Sequence, residues 1–260
     1  MTKYPIILVH GVLVKDYKRF KAFGKIEKVL NDAGYIVYTS KTDGFGTTET
    51  NGVQLQKQIY EVMKIHNVDK VNLIGHSKGG LDSRYVVENL GMGKHVASIT
   101  TVCTPHKGSP VASILLKMPK FMKKIISKTI NFWSKKSGDE FPNSLAVCEE
   151  LKLSDDDFTK LLPFNVTDEV YCQSYSASMN KSYDDFLLTV PHLFSVKYEN
   201  KLSDGLVSKD SMIFGDYKGD AVNESMSHAQ IIDFMVNKKK KEKVYGFYLQ
   251  ICEDLKNKGL

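Results

Sequence analysis

Residues 71–90 read VNLIGHSKGGLDSRYVVENL. The apolar run Val71–Ile74 is short enough for a buried strand, and Leu81–Leu90 carries helix-forming residues at helical spacing. Between them lies Gly75-His76-Ser77-Lys78-Gly79, a G-x-S-x-G pentapeptide. Alone it is a weak signal, since average glycine and serine usage produces one by chance in roughly one chain in ten of this length. Its place between a buried strand and a helix makes it specific, because that is where a nucleophile elbow holds a serine on a sharp, strained turn. Glycines on either side spare that turn a collision with the neighbouring strand and helix.

Working outward, short apolar runs alternate with helical patterns, the signature of a parallel sheet with crossover helices. Ile6–Val9 reads as the first strand, with Pro5 at its start. Phe23, Ile26, Leu30 and Ala33 mark a helix that Gly34 would close as the C′ residue. Tyr35–Thr39 reads as a strand, followed by a Gly/Thr-rich loop through Thr50 and a helix marked by Leu55, Ile59 and Val62. Ile99–Cys103 is the next strand. The alternation breaks near residue 108, and residues 108–165 read as a helical insertion. The sheet resumes at Val170–Ser174. Val244, Tyr248, Ile251, Cys252 and Leu255 place a final helix against it. The expected fold class is α/β, specifically an α/β-hydrolase fold: a mostly parallel central sheet flanked by helices, in one domain spanning 1–260, with a helical lid or cap at 108–165.

A serine hydroxyl needs a base to take its proton and an acid to orient that base. This fold carries them after the nucleophile, in the order serine, acid, histidine. Of the seven histidines, only His192 and His228 come late enough. His228, in NESMSHAQIIDFM, is favoured because a polar loop there runs into an apolar helical stretch. Asp204 lies in Leu202-Ser203-Asp204-Gly205-Leu206-Val207, read as a turn following a strand-like Ser195–Tyr198. Asp210, Asp216 and Asp220 rival it on position alone. The oxyanion needs two N–H donors, and Lys78, following the nucleophile, and Val12, following the first strand, are the candidates.

Composition bounds the rest. The 260 residues are 42% hydrophobic and 25% charged, with a mean hydropathy of −0.26, which fits one large globular domain. No apolar run approaches the ~18 residues of a transmembrane helix. MTKYPIILVHG lacks the apolar core and cleavage site of a signal peptide, so the chain reads as cytoplasmic or as a secreted mature form. Cys103, Cys148, Cys172 and Cys252 form no CxxC pair and mildly favour a reducing compartment. The net charge of +6 is local. Residues 111–138 hold Lys117, Lys120, Lys123, Lys124, Lys128, Lys135 and Lys136 and no acid, and Lys238–Lys241 with Lys243 form a second cluster. Neither carries a nucleic-acid motif, and no nucleic-acid partner is expected. The second cluster reads as a solvated face.

YPIILVHGVL (4–13), KVNLIGHSKGGLDSRYV (70–86), CTPHKGSPVA (103–112) and SDGLV (203–207) resemble the bacterial triacylglycerol lipases related to the Pseudomonas and Burkholderia enzymes. The resemblance implies Asp204 as the acid, His228 as the base and His10-Gly11-Val12 as the oxyanion loop. It also implies a structural calcium near the histidine. The aspartate expected two residues after His228 is here Gln230, a weaker ligand for a hard cation, although Asp184 or Asp185 falls near the family's other calcium aspartate. The expectation is therefore no cofactor and no metal. The family's secreted members carry a disulfide near the acid loop, and no cysteine falls there in this chain.

The insertion places Val111, Ile114, Leu115, Met118, Met122, Ile125, Ile126, Ile130 and Trp133 at helical spacings, with Pro119 expected to kink or split the helix. Such a stripe covers a sheet or forms a lid that turns toward a lipid surface. The resembled family inserts a lid here. The expected activity is carboxylic-ester hydrolysis through an acyl-serine, as a triacylglycerol lipase, with lipid or small ester substrates and a lipid–water interface met by the basic lid. A soluble-ester carboxylesterase and an acyltransferase or thioesterase would use the same triad. A non-catalytic protein on this fold should have lost one of Ser77, Asp204 or His228.

Overall fold

The computed structural model describes residues 1–12, 16, 21–153 and 170–260. Six strands form one sheet in the order β2-β1-β3-β4-β5-β6, and every neighbouring pair is parallel. They are β1 (Ile6–Val9), β2 (Val37–Thr39), β3 (Val71–His76), β4 (Val96–Val102), β5 (Tyr171–Ser176) and β6 (Asp216–Asp220). The helices are α1 (Ile26–Asp32), α2 (Thr48–His66), α3 (Lys78–Glu88), α4 (Pro110–Leu116), α5 (Lys120–Lys136), α6 (Ser144–Glu150), α7 (Thr189–Glu199) and α8 (Lys238–Asn257).

β1, β3 and β4 are buried along their whole length, as strands covered on both faces must be. Alternation along β1 sends Ile6 and Leu8 to one side, against Ile26 and Leu30 of α1 and Tyr248 and Ile251 of α8. Ile7 and Val9 point to the other, against Leu55 and Ile59 of α2 and Val86 of α3. The chain leaves β1 for β2 on one side and returns to β3 on the other. The carboxyl ends of β1 and β3 therefore flank the point where the connections diverge, and open α/β sheets form their crevice there. Gly11 and Val12 follow β1, and Ser77 follows β3.

Gly34 closes α1 with φ +91, as expected. Pro119 separates α4 from α5, so the expected kink is a full break. Other expectations need correction. Ser195–Tyr198 is the last part of α7, not a strand. Its β-branched and aromatic residues are a weak guide, while the buried His192 and Ser195 repeat at helical spacing. Asp204 thus follows a helix, within the β5-to-β6 connection. β6 was not expected because DYKGD holds no apolar run, being an edge strand with one face open to water. α2 starts at Thr48, inside the expected loop, with the Thr47 side chain capping the Thr50 N–H.

α4, α5 and α6 interrupt the alternation between β4 and β5, and the 154–165 part of the expected insertion lies outside the described residues. Reciprocal hydrogen bonds tie the end of α5 to the loop before α2. Asp43 accepts from the Glu140 and Phe141 amides, and Asp139 accepts from those of Gly44 and Phe45. Among the described residues no helix is long and apolar enough to cross a membrane.

Candidate active site

Ser77 sits between β3 and α3 with φ 54 and ψ −132, a conformation non-glycine residues rarely hold. Its N–H donates to the Val102 carbonyl at 3.0 Å, and its own carbonyl accepts from the Gly80 N–H at 3.0 Å. The motif glycines follow from packing. A Cβ at Gly75 would lie 2.6 Å from the Gly80 Cα, and one at Gly79 would lie 2.1 Å from the Val9 carbonyl oxygen. A Cβ at Gly11 would lie 2.6 Å from the Ser77 Cβ, so the loop after β1 is pressed against the serine.

Asp204 is fully buried, and its acceptor sites are used. Oδ1 takes the Leu206 and Val207 amides at 3.0 and 2.9 Å, and Oδ2 takes the His228 Nδ1–H at 2.6 Å. The His228 amide donates to the Asp204 carbonyl at 2.9 Å. A carboxylate can only accept, so Nδ1 carries the proton and Nε2 is left as the basic nitrogen. The rivals stand elsewhere: Asp210 pairs with Lys201, Asp216 with Lys218, and Asp220 with Lys209. His192 is buried on α7, its Nδ1 2.8 Å from the Ser182 hydroxyl.

Ser77, His228 and Val12 line one cavity of about 620 Å³. Its other walls are mainly apolar, including Leu115, Ile126, Ile130, Leu145 and Leu187. Lys78 is the first residue of α3, where backbone N–H groups have no partner within the helix. α5 buries none of its residues, and Phe121, Ile125 and Trp133 are each more than 60% exposed.

Two features beside the serine escaped the sequence reading. The Lys78 side chain is buried and pairs with Asp82 at 2.5 Å, and Asn51 donates to the other Asp82 oxygen at 3.0 Å. Burial pushes the Asp82 carboxyl up to about 6, against the opposing pull of Lys78 and Asn51. The i,i+4 spacing of Lys78 and Asp82 could have revealed the pair. His76 is likewise buried and within hydrogen-bond reach of the His228 backbone.

The family described as palmitoyl protein thioesterase matches residues 5–144, more than half of the chain. This chain belongs to that family. The hydrolase is also 29% identical over 255 residues to triacylglycerol lipase 2 of Saccharomyces cerevisiae, covering 90% of this chain and 73% of the yeast protein. It is 39% identical over 124 residues to a triacylglycerol lipase of Burkholderia plantarii, covering 44% of this chain but 33% of that one. This bears out the resemblance to the Burkholderia lipases. Among solved structures, the mature Bacillus licheniformis lipase BlEst2 superposes with a TM-score of 0.69 at 16% identity, covering 96% of this chain and 92% of that one, which shows the shared fold. The protein is a carboxylic-ester hydrolase of the α/β-hydrolase fold.

Proposed function

We propose that this hydrolase is a lipase that cleaves long-chain acyl esters such as triacylglycerols, with Ser77 as nucleophile, His228 as base and Asp204 as its orienting acid. His228 Nε2 takes the Ser77 proton as Oγ attacks the ester carbonyl. The Val12 and Lys78 N–H groups hold the oxyanion, each contributing about 3 kcal/mol of transition-state stabilisation. The alkoxide leaves with the proton from His228, and water activated by the same nitrogen then releases the fatty acid.

The observation that carries the acyl-chain preference is the apolar cavity bounded by Ser77 and His228, with α4, α5 and α6 forming much of its wall. In this reading the described part of the insertion, residues 108–153, is a lid. The exposed apolar side chains of α5, its lysines, and the exposed Phe186, Leu187, Val190 and Phe194 support contact with a lipid surface. The four cysteines are free, which suits a reducing compartment.

The test is hydrolysis of p-nitrophenyl esters from C2 to C16 by wild type and Ser77→Ala, below and above the aggregation limit of each substrate. Wild type cleaves, Ser77→Ala does not, and the rate rises on aggregated long esters. Activity confined to short soluble esters would demote the insertion to a covering wall. The family match supports a second reading, a long-chain thioesterase, which would prefer palmitoyl-CoA to p-nitrophenyl palmitate.

A further inference from the structure

Helix α8 opens with five lysines in six residues, Lys238–Lys241 and Lys243. The first turn of a helix presents partial positive charge and disfavours cations, so this is an adverse place for them. The expectation of a solvated face holds for the exposed Lys238, Lys239 and Lys243 and fails for Lys240 and Lys241, which are half-buried. Lys243 Nζ pairs with Glu224 at 2.6 Å and Lys241 Nζ with Asp233 at 3.2 Å. Lys240 Nζ donates to the Ser225 carbonyl at 2.7 Å and to Gln230 Oε1 at 3.1 Å. All four partners flank His228 in the chain.

Lys240 is the one that reaches into the loop itself. Gln230 Oε1 also accepts from the Ser227 amide at 3.3 Å, and the Gln230 side-chain amide donates to the Asp184 carbonyl at 3.1 Å. The Ser227 hydroxyl donates to Asp185 Oδ2 at 2.5 Å and accepts from the Gln230 amide at 3.1 Å. The Ser225 hydroxyl donates to Asp184 Oδ2, which also accepts from the Lys181 amide at 2.9 Å. The 225–230 loop is thus held between two aspartates and one ammonium.

The calcium ion that the resemblance implies beside the histidine does not fit this donor set. The residue in the expected carboxylate position is the neutral Gln230, and its oxygen already accepts from an ammonium that would repel a divalent cation. Asp185 Oδ2 is bonded to the Ser227 hydroxyl. Among the described residues no group of three or more His, Cys, Asp or Glu side chains could hold a metal.

We propose that Lys240 is a positioning residue, a covalently attached cation that fixes the His228 loop and makes hydrolysis independent of calcium. It acts through Ser225 and Gln230, keeping His228 Nδ1 against Asp204, and so rests on His228 being the base. Charge on a side chain serves here where a captured ion would otherwise be needed, and free calcium no longer sets the activity.

The experiment compares wild type, Lys240→Met and Lys240→Arg on p-nitrophenyl butyrate, with amide hydrogen exchange followed in parallel. Wild type keeps its kcat in EDTA and gains nothing from added calcium chloride. Lys240→Met loses about tenfold or more in kcat with little change in KM, the scale of one lost charge-assisted hydrogen bond. Lys240→Arg recovers most of it. The 225–230 amides exchange faster in Lys240→Met, while those of β3 and β4 do not. If Lys240→Met does not fold, Lys240→Gln, which keeps a donor without the charge, gives the same readouts. Loss of wild-type activity in EDTA with recovery in calcium overturns the proposal, as do unchanged kcat and exchange in Lys240→Met. Residual activity in Ser77→Ala would instead sink the triad reading, since the exchange comparison does not depend on turnover.

Discussion

The His76 Nε2 lies 3.0 Å from the carbonyl oxygen of His228, and the two rings stand 4.6 Å apart. The residue before Ser77, the proposed nucleophile, therefore grips the backbone of the residue proposed as its base. Burial, reinforced by the neighbouring His228 and His10, holds the His76 imidazole well below its ordinary range. The ring stays neutral, and because a carbonyl only accepts, the proton sits on Nε2. Replacing His76 by Phe keeps the ring and removes the donor. The expected outcome is a fall in kcat of about ten- to thirty-fold, from one buried hydrogen bond lost beside an unpaired carbonyl. His76→Gln, which restores a donor, should recover part of it. Steady-state kinetics on a short soluble ester would decide this, and unchanged kcat in His76→Phe would remove the grip from the mechanism.

Asp204→Asn should lower kcat about 10⁴-fold with KM little changed, because an amide presents the wrong partner to Nδ1 and favours the unproductive tautomer. Single-turnover kinetics would separate this from a loss of fold, since the Leu206 and Val207 amides can still be accepted by the side-chain carbonyl. A drop of only a few-fold would point to another acid.

Asp82 carries a pH signature. Its folded carboxyl, pushed up to about 6 by burial, binds its proton more tightly than in the unfolded chain. Its protonation therefore contributes stability that is fully present below about pH 4 and lost as pH rises through about 6, on the order of 3 kcal/mol. On going from pH 4 to pH 7 the unfolding free energy should change more favourably in Asp82→Asn than in wild type. Equal differences in the two proteins would contradict the burial argument.

Two glycine-to-alanine changes should move in opposite directions. At Gly79 the new methyl would meet the backbone oxygens of Val9 and His10 at 2.1 and 2.6 Å, and neither can yield without displacing β1. Gly79→Ala should give insoluble or inactive protein. Gly246 lies inside α8 with open space where a Cβ would go. Gly246→Ala should stabilise by about 0.5–1 kcal/mol, through helix propensity and a stiffer unfolded chain. Chemical denaturation would read both.

What the sequence reveals here divides by how local the cause is. The elbow was legible because strand, turn and helix are contiguous and each glycine answers to a nearby backbone atom. The pairing of His228 with Asp204 was legible through chain order and the wording around them, and the structure joins the two side chains at 2.6 Å. α7 was misread because Ser195–Tyr198 has strand-like residues, and β6 was missed because an edge strand needs no apolar run. The Asp43–Asp139 clasp joins loops about a hundred positions apart and leaves no mark in either. Lys240 looked like one more surface lysine because its acceptors, Ser225 and Gln230, are a backbone carbonyl and an amide, which no charge pattern reveals.

α5 has a further consequence. Seventeen residues long with nothing buried, it gains little from the core and is held by a few hydrogen bonds: Lys123 on the Leu116 carbonyl, Ser127 and Asn131 on Ser144 of α6, and the Asp43–Asp139 clasp beyond its end. Such a segment detaches at a small fraction of the free energy needed to unfold the sheet. It also carries six lysines, so trypsin at low dose should nick the native enzyme within 120–136 first. The two fragments would stay together through the intact sheet. Long-chain ester hydrolysis would fail while short-ester hydrolysis persisted, which would make one proteolytic cut a means of separating chain-length selection from catalysis.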